Sequence, residues 1–349
     1  MAVIDAGSTG TRLHIYAFDR NEYNEPVNIK ELWINKIKPG LATIGPSKDN
    51  VSAYMDRLFK KAPHEKVPVY FYATAGMRLL PKTLQSQYFQ SLTDWFNKKN
   101  EWPLKDIRTI SGSEEALFGW LSVNQDLGHF GVKESSYVGV LDMGGASVQI
   151  AFPVTKTNDI DPDDLMEVKV RGKQVKLFVH SFLGLGKTVF AYQFLDTKSC
   201  FPDGYKLPNG LVGKGDAKTC QLLITKLINT VHEVNETTQP VLAQNATKDW
   251  YVLGGILHLV KDSPFKFNNH QFNSEALLEQ GNQQVCNKLW SEIARSNPNH
   301  EDIHNYCLFP SYYYALLVNG YGINPEAPVH IPVDANRADW TLGVVLHLT

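Results

Sequence analysis

Two seven-residue stretches carry the residue types of a phosphate and cation site. Ile4-Asp5-Ala6-Gly7-Ser8-Thr9-Gly10 and Leu141-Asp142-Met143-Gly144-Gly145-Ala146-Ser147 each end an apolar run on one Asp and continue in small residues. Glycine lets backbone N–H groups approach an anion, and Ser and Thr hydroxyls add donors. A carboxylate beside such a turn offers the hard oxygens that a divalent cation takes. Apolar or β-branched runs resume after each stretch, at Leu13 to Ala17 and Val148 to Phe152. The pattern predicts strand, tight turn and strand, twice over. One copy alone reads equally well as a plain hairpin. Two copies facing each other would clamp a polyphosphate and its cation from both sides.

Other segments could add chemistry. Ala73-Thr74-Ala75-Gly76-Met77-Arg78 ends a third buried strand with a hydroxyl and a cation. Glu114 and Glu115 open a predicted helix over 113–127, with Ser113 as its expected N-cap. On residue chemistry alone they are favourable first-turn acids. Arg12 and Arg78 read either as phosphate contacts or as structural partners of carboxylates, and Lys36 and Lys38 either as phosphate contacts or as solvated surface. Gly184-Leu185-Gly186-Lys187-Thr188 has the look of a P-loop, but that pattern needs a glycine where Ser181 stands. A structural loop near the cleft is the expectation there. The eleven histidines show no metal-binding spacing such as H-E-x-x-H.

These residues need a scaffold, and the first half alternates strands with helices. Lys66 to Ala75 has a buried-strand pattern, while 52–62 and 83–99 have helical spacing; 109–112 reads as a strand end. Alternation of this kind predicts an α/β fold with helices covering the sheets. In the second half, 167–182 predicts a hairpin turning at Arg171-Gly172-Lys173, and 220–234 an amphipathic helix. Trp250 to Leu253 is a short strand ending at Gly254-Gly255; 274–294 and 311–318 are helical; 320–334 is a Pro-rich connector; 340–348 is a last apolar element. The only internal repeat is the pair of Asp-Gly stretches, whose wide separation fits two related domains.

Composition removes several classes. A net charge of −2 gives no electrostatic case for nucleic acid or an anionic membrane as main partner. No apolar run approaches the ~18 residues of a spanning helix. The first strand starts at Ala2, so a targeting segment is expected to have been removed. Four cysteines, 200, 220, 286 and 307, all lie in the C-terminal half. Their spacing suggests two local pairs, Cys200–Cys220 and Cys286–Cys307, although sequence alone allows three pairings. Pairing would imply an oxidising compartment, secreted or periplasmic. Asn50, Asn235 and Asn245 lie in N-x-S/T triplets, which arise often by chance.

Taken together, residues 4–12, 73–78, 112–124 and 142–150 closely resemble the apyrase conserved regions of the nucleoside triphosphate diphosphohydrolases, in that family's order. Residues 181–186 and 250–257 fit as well, so the resemblance runs over essentially the whole chain. It implies a two-lobed, actin-like (ribonuclease H-like) α/β fold with a central nucleotide cleft. Lobe I would comprise 1–117 and 328–349, and lobe II 118–327. The resemblance further implies Glu115 as general base and Ser147 and Gln149 as holders of the attacking water. It implies Ser8, Thr9, Gly10, Thr74, Gly144, Gly145 and Ala146 around the phosphates, with Arg12 and Arg78 as further candidates. Asp5 and Asp142 match the metal acids, for Mg²⁺ or Ca²⁺ held largely through water. Tyr314, Gly254 and Gly255 match the nucleobase site. A base at a helix start should have a lowered pKa. The chain has fewer cysteines than the larger animal and plant members and resembles the compact soluble bacterial ones. The expected activity is stepwise hydrolysis of nucleoside tri- and diphosphates by a monomer. The rivals are another actin-fold phosphotransferase, such as an exopolyphosphatase or sugar kinase, and a catalytically silent nucleotide binder.

Overall fold

The computed structural model describes residues 1–349 apart from 23, 64–65, 131–135, 246, 248, 268–269, 334–338 and 349. The expected hairpins are there, each at the centre of its own sheet. In the first sheet, β1 (Ala2–Ala6), β2 (Thr11–Arg20), β3 (Pro26–Ile37), β4 (Val69–Ala73) and β5 (Leu104–Thr109) run in the order β3-β2-β1-β4-β5. The second contains β6 (Gly139–Met143), β7 (Ser147–Pro153), β8 (Leu165–Val170), β9 (Lys173–Leu183), β10 (Trp250–Gly254), β11 (Gln271–Phe272) and β12 (Val329–His330), in the order β11-β12-β10-β6-β7-β9-β8.

The two sheets share one plan. β1 pairs antiparallel with β2 and parallel with β4, and β4 pairs parallel with β5. β6 likewise pairs antiparallel with β7 and parallel with β10, and β10 parallel with β12. β3 and β9 close the meanders antiparallel to β2 and β7. All five residues of β1 are buried, as suits a central strand covered on both faces.

Helices α1 (Lys48–Leu58), α2 (Ala75–Arg78) and α3 (Lys82–Lys99) belong with the first sheet. Tyr54, Met55 and Leu58 of α1 share a core with Tyr88, Leu92 and Phe96 of α3 and with Ile4 and Phe71 beneath them. Helix α4 (Gly112–Asp126) is different, because Glu115 to Asn124 are buried without interruption. A helix buried all round must be covered on every side. It packs on β6, β7 and β9, while α12 (Thr341–Leu348) crosses its other face. The crossing is tight at Gly343, where a β-carbon would come within 2.0 Å of the Phe118 carbonyl oxygen. One core joins Val3, Tyr16 and Tyr72 of the first sheet to Leu117, Phe118 and Leu121 of α4 and to Val140 of the second.

The second sheet's outer helices are α5 (Lys187–Gln193), α6 (Ala217–Thr230), α7 (Val234–Gln244), α8 (Ile256–Lys261), α9 (Ser274–Gly281), α10 (Trp290–Ser296) and α11 (Leu308–Tyr314). Disulfides Cys200–Cys220 and Cys286–Cys307 form as expected. The first ties the 198–215 loop to α6, and the second ties the end of α9's continuation to the start of α11.

Several elements differ from the sequence reading. β3 was not anticipated. The helix expected over 274–294 is broken, widening to a π turn at 282–286 before α10. The N-cap of α4 is Ser111, not Ser113: Ser111 Oγ accepts from Glu114 N, and the Glu114 carboxylate accepts from Ser111 N. The expected lobe boundary at 328 falls just before β12, which hydrogen-bonds into the second sheet. α4 also packs on the second sheet although it begins before residue 118. Residue 334, the end of the expected connector, lies outside the described residues. Asn245 is buried, its side chain accepting from Thr155 N and Lys156 N, so this triplet serves the fold. No helix among the described residues is long and apolar enough to cross a membrane.

Candidate active site

The tips of the two hairpins meet. A β-carbon on Gly145 would lie 2.6 Å from Ser8 Oγ and 2.7 Å from Thr9 Cγ2. Both atoms belong to the first hairpin, so the two tips are in close contact, and a side chain at 145 would force Ser8 and Thr9 to move. Gly76, at the start of α2, closes a third side: a β-carbon there would stand 2.8 Å from Ser8 Cα. Thr74 is buried just before it, and its amide donates to Ala6 O. Ser8, Thr9, Thr74, Gly76 and Gly145 are thus brought together, while Gly10 lies against Ile37 and Lys38, and Gly144 and Ala146 belong to the second hairpin's turn. The 184–188 segment supports it from behind, with Gly184 N donating to Ala146 O, Lys187 N to Gly144 O and Thr188 N to Gly145 O. The P-loop look-alike is therefore a buttress, as expected.

Each hairpin puts an acid opposite a residue seven positions on. In the first, Asp5 faces Arg12; in the second, Asp142 faces Gln149. Arg12 Nη1 donates to Asp5 Oδ2 at 2.8 Å, so the structural-partner reading of Arg12 describes what is seen. Asp5 Oδ1 is buried with no partner among the described residues. Burial pushes the Asp5 carboxyl up, partly offset by Arg12. Asp142 retains some exposure to the cleft but is densely surrounded. Lost hydration, then the charges of Glu115 and Asp5, push it up to about 8. Carboxylates that raise one another in a closed space suit a cation between them. Among the described residues, however, no three Asp, Glu, His or Cys side chains converge as a ligand set.

The adjacent acids of α4 divide their roles by direction. Arg108 grips Glu114 through Nη1 and Nη2, at 2.9 and 2.8 Å, which with the cap holds Glu114 below its usual range despite partial burial. Glu115 turns inward, is 7% exposed, and accepts from Arg78 Nη2 at 2.7 Å. Its carboxyl is raised to about 7, against the expected lowering. Desolvation between two sheets outweighs both Arg78 and the helix start. Arg78 Nη2 also donates to Ser147 Oγ at 3.0 Å, and Gln149 Nε2 to the same oxygen at 2.7 Å. Glu115, Arg78, Ser147 and Gln149 thus form one connected group.

Behind Asp5 lies a network that sequence reading missed. His14 is fully buried, with Nδ1 2.6 Å from Glu31 Oε1 and Nε2 2.8 Å from Asp339 Oδ2. Burial lowers the His14 pKa, but Asp339 and Glu31 outweigh it and raise it to about 9. Only the fold brings β2, β3 and the entrance to α12 together there.

On the second-lobe side, Gly254 takes φ +79°, and a β-carbon there would meet Asp142 Oδ1 at 2.9 Å. Gly255 sits beside Lys187 and the hydroxyl of Tyr313, and Lys187 Nζ lies 4.6 Å from the centre of the Phe309 ring. Tyr312 and Tyr313 are fully buried, whereas Tyr314 is partly exposed beside Glu275. One helical turn cannot aim three successive rings at one place, and Tyr313 is the ring next to Gly255.

Hairpins tip to tip, on two sheets of duplicated topology, define a two-lobed α/β protein with an actin-like fold. The chain belongs to the GDA1/CD39 (nucleoside phosphatase) family, whose profile matches residues 1–349. It is 26% identical to mouse ectonucleoside triphosphate diphosphohydrolase 1, over 99% of this chain and 80% of that one. It is also 26% identical to a nucleoside-triphosphatase of Pisum sativum, over 93% of this chain and 80% of that one. Among solved structures, it superposes on a nucleoside triphosphate hydrolase of Neospora caninum with TM-score 0.70 and 16% identity, covering 99% and 91% of the two chains. An exopolyphosphatase-like protein matches with TM-score 0.55 and 12% identity, covering 99% and 98%.

Proposed function

We propose that this chain hydrolyses the terminal phosphates of nucleoside tri- and diphosphates by in-line attack of a water that Glu115 deprotonates. One observation carries the reading: the two Asp-Gly hairpins touch at their tips while Glu115, Arg78, Ser147 and Gln149 form a bonded group beside them. Activity on tri- and diphosphates accords with the names of the relatives, which include a nucleoside-diphosphatase of Caenorhabditis briggsae.

The backbone amides and hydroxyls of Ser8, Thr9, Gly10, Thr74, Gly144, Gly145 and Ala146 hold the phosphate chain. Asp5, whose Oδ1 is buried without a partner among the described residues, and Asp142 would hold a divalent cation, Mg²⁺ or Ca²⁺, whose hard character suits carboxylate oxygens. When bound, that cation offsets negative charge on the phosphate oxygens. Ser147 and Gln149 position the water. Glu115, raised to about 7, suits a general base at neutral pH, being ionised often enough to act and basic enough to take a proton. Arg78 steadies Glu115 and Ser147, and its charge is also available to the departing phosphate. Tyr314, the partly exposed ring of the three, remains the candidate for the nucleobase, with Gly254 and Gly255 as candidates on the other flank; Tyr313, the ring beside Gly255, is fully buried. The diphosphate released, or rebound one phosphate deeper, passes to the monophosphate. Both hairpins come from one chain, so a monomer suffices. Two disulfides favour a secreted or periplasmic setting.

The test is a time course of products from ATP, ADP and a panel of bases at fixed Mg²⁺ or Ca²⁺, with inorganic polyphosphate as a parallel substrate. Phosphate release from ATP and ADP is the expected result. Release from polyphosphate alone would favour the exopolyphosphatase rival. Binding of a nonhydrolysable triphosphate without any turnover would favour a silent binder.

A further inference from the structure

Gln149 is held by more than Ser147. Register pairing places Ser181 of β9 directly across from it, on the same face of the sheet. Gln149 Nε2 donates to Ser181 Oγ at 2.8 Å and to Ser147 Oγ at 2.7 Å. Both amide protons are thereby engaged. Gln149 Oε1 is left buried with no partner among the described residues. Ser147 Oγ accepts from Gln149 and from Arg78, which fills both of its acceptor sites and leaves its own proton to donate. A water seated between them would meet a hydroxyl donor at Ser147 and an acceptor at Gln149 Oε1. Its second proton would be left for Glu115, which Arg78 ties to the same Ser147, and one lone pair for phosphorus.

Ser181 also touches the helix that carries the base. A β-carbon on Gly112, the first residue of α4, would lie 2.1 Å from Ser181 Cβ and 2.4 Å from its Oγ. Glu115 follows less than one turn later. The residue therefore spans the strand that orients the water and the helix that presents the base. Resting on the hydrolase reading above, we propose that Ser181 is a positioning residue: it fixes the plane of the Gln149 amide so that Oε1 faces the attacking water. With one anchor instead of two, the amide rotates about its terminal bond and offers a donor where an acceptor is needed.

Ser181→Ala tests this without adding bulk. Steady-state hydrolysis of ATP and ADP should show kcat lowered by about 10- to 100-fold, the scale on which small misplacements act, with KM changed less than about threefold. The effect should disappear in a Gln149→Ala background, because a group that acts through Gln149 has nothing left to position. A thermal melt within a few degrees of wild type separates this from unfolding. If kcat is unchanged in Ser181→Ala, the inference is overturned. Losses that multiply in the double variant overturn it as well, since a structural defect would act in either background. Wild-type protein that releases no phosphate from either nucleotide would instead defeat the hydrolase reading itself.

Discussion

Arg78 should control the pH at which this enzyme works. Its Nη2 lies 2.7 Å from the Glu115 carboxylate, which burial raises to about 7 even against the pull of Arg78. An opposite charge at this distance lowers an acid's pKa by ~1–3 units. Arg78→Gln keeps a donor of similar reach and removes the charge. Taking the middle of that range, Glu115 would move up by about two units. A base of pKa 7 is about half ionised at pH 7, and one near 9 about 1%, so the variant loses ~50-fold in active base at neutrality. At pH 9 the variant is about half ionised and the wild type nearly fully, so the deficit shrinks to ~2-fold. The lost contact to Ser147 adds a further loss that does not depend on pH. The assay is kcat/KM for ATP from pH 6 to 9.5 at saturating divalent cation, expressed as the ratio of wild type to variant. That ratio cancels titration of the nucleotide and of bound water, which both proteins share. It should fall by at least about tenfold between pH 7 and 9. A ratio that stays flat would show either that Glu115 is not the titrating base or that Arg78 does not tune it.

Three other outcomes follow from the same geometry. Glu115→Gln should lower turnover by ~10²–10⁴-fold while leaving affinity for a nonhydrolysable triphosphate nearly unchanged; wild-type turnover would reject Glu115 as base. Gly145→Val puts a branched side chain where even a β-carbon is 2.6 Å from Ser8 Oγ and 2.7 Å from Thr9 Cγ2, so those side chains must turn away or the hairpin tips must part. Its KM for nucleotide should rise about tenfold or more, and an unaltered KM would show that the tip contact is dispensable. His14, raised to about 9 in the fold against about 6.5 unfolded, binds its proton more tightly when folded. That contribution is complete below pH 6.5 and lost as pH rises through 9, amounting to about 3 kcal/mol. Urea unfolding should show this decline in wild type but not in His14→Gln; equal slopes would dismiss the buried ion network as a source of stability.

What could be read from the sequence was whatever depends on local order. β1, β4, β6 and β7 announce themselves as apolar runs because central strands are buried on both faces. Both cysteine pairs are local, so spacing suggested the partners that form. β3 escaped because its inner and outer residues alternate between exposed and partly exposed, and it breaks register with β2 at two places. Choosing between Ser111 and Ser113 as cap turns on which serine has Glu114 three residues ahead, a clue the linear chain does contain. The sign of the Glu115 shift was not legible. A helix start is visible in sequence, but its closure between two sheets is a tertiary fact. Ser181 and His14 were hidden for the same reason: their partners are set by strand register and by the return of α12, not by spacing.

The duplicated plan also explains why the cleft is chemically lopsided. Two hairpins of one topology, each carrying an acid and its cross-strand partner seven residues on, offer equivalent positions. In the first, the partner is Arg12, which binds Asp5 and fixes it. In the second it is Gln149, which leaves Asp142 without that cation and turns its amide toward Ser147 and Ser181. An arginine at both positions would neutralise both acids and close the space a metal and water require. A glutamine at both would remove the cation bonded to Asp5 and leave Asp5, Asp142 and Glu115 to repel one another more strongly. One rigid half and one reactive half satisfy both demands, and the difference rests on the single residue opposite each aspartate.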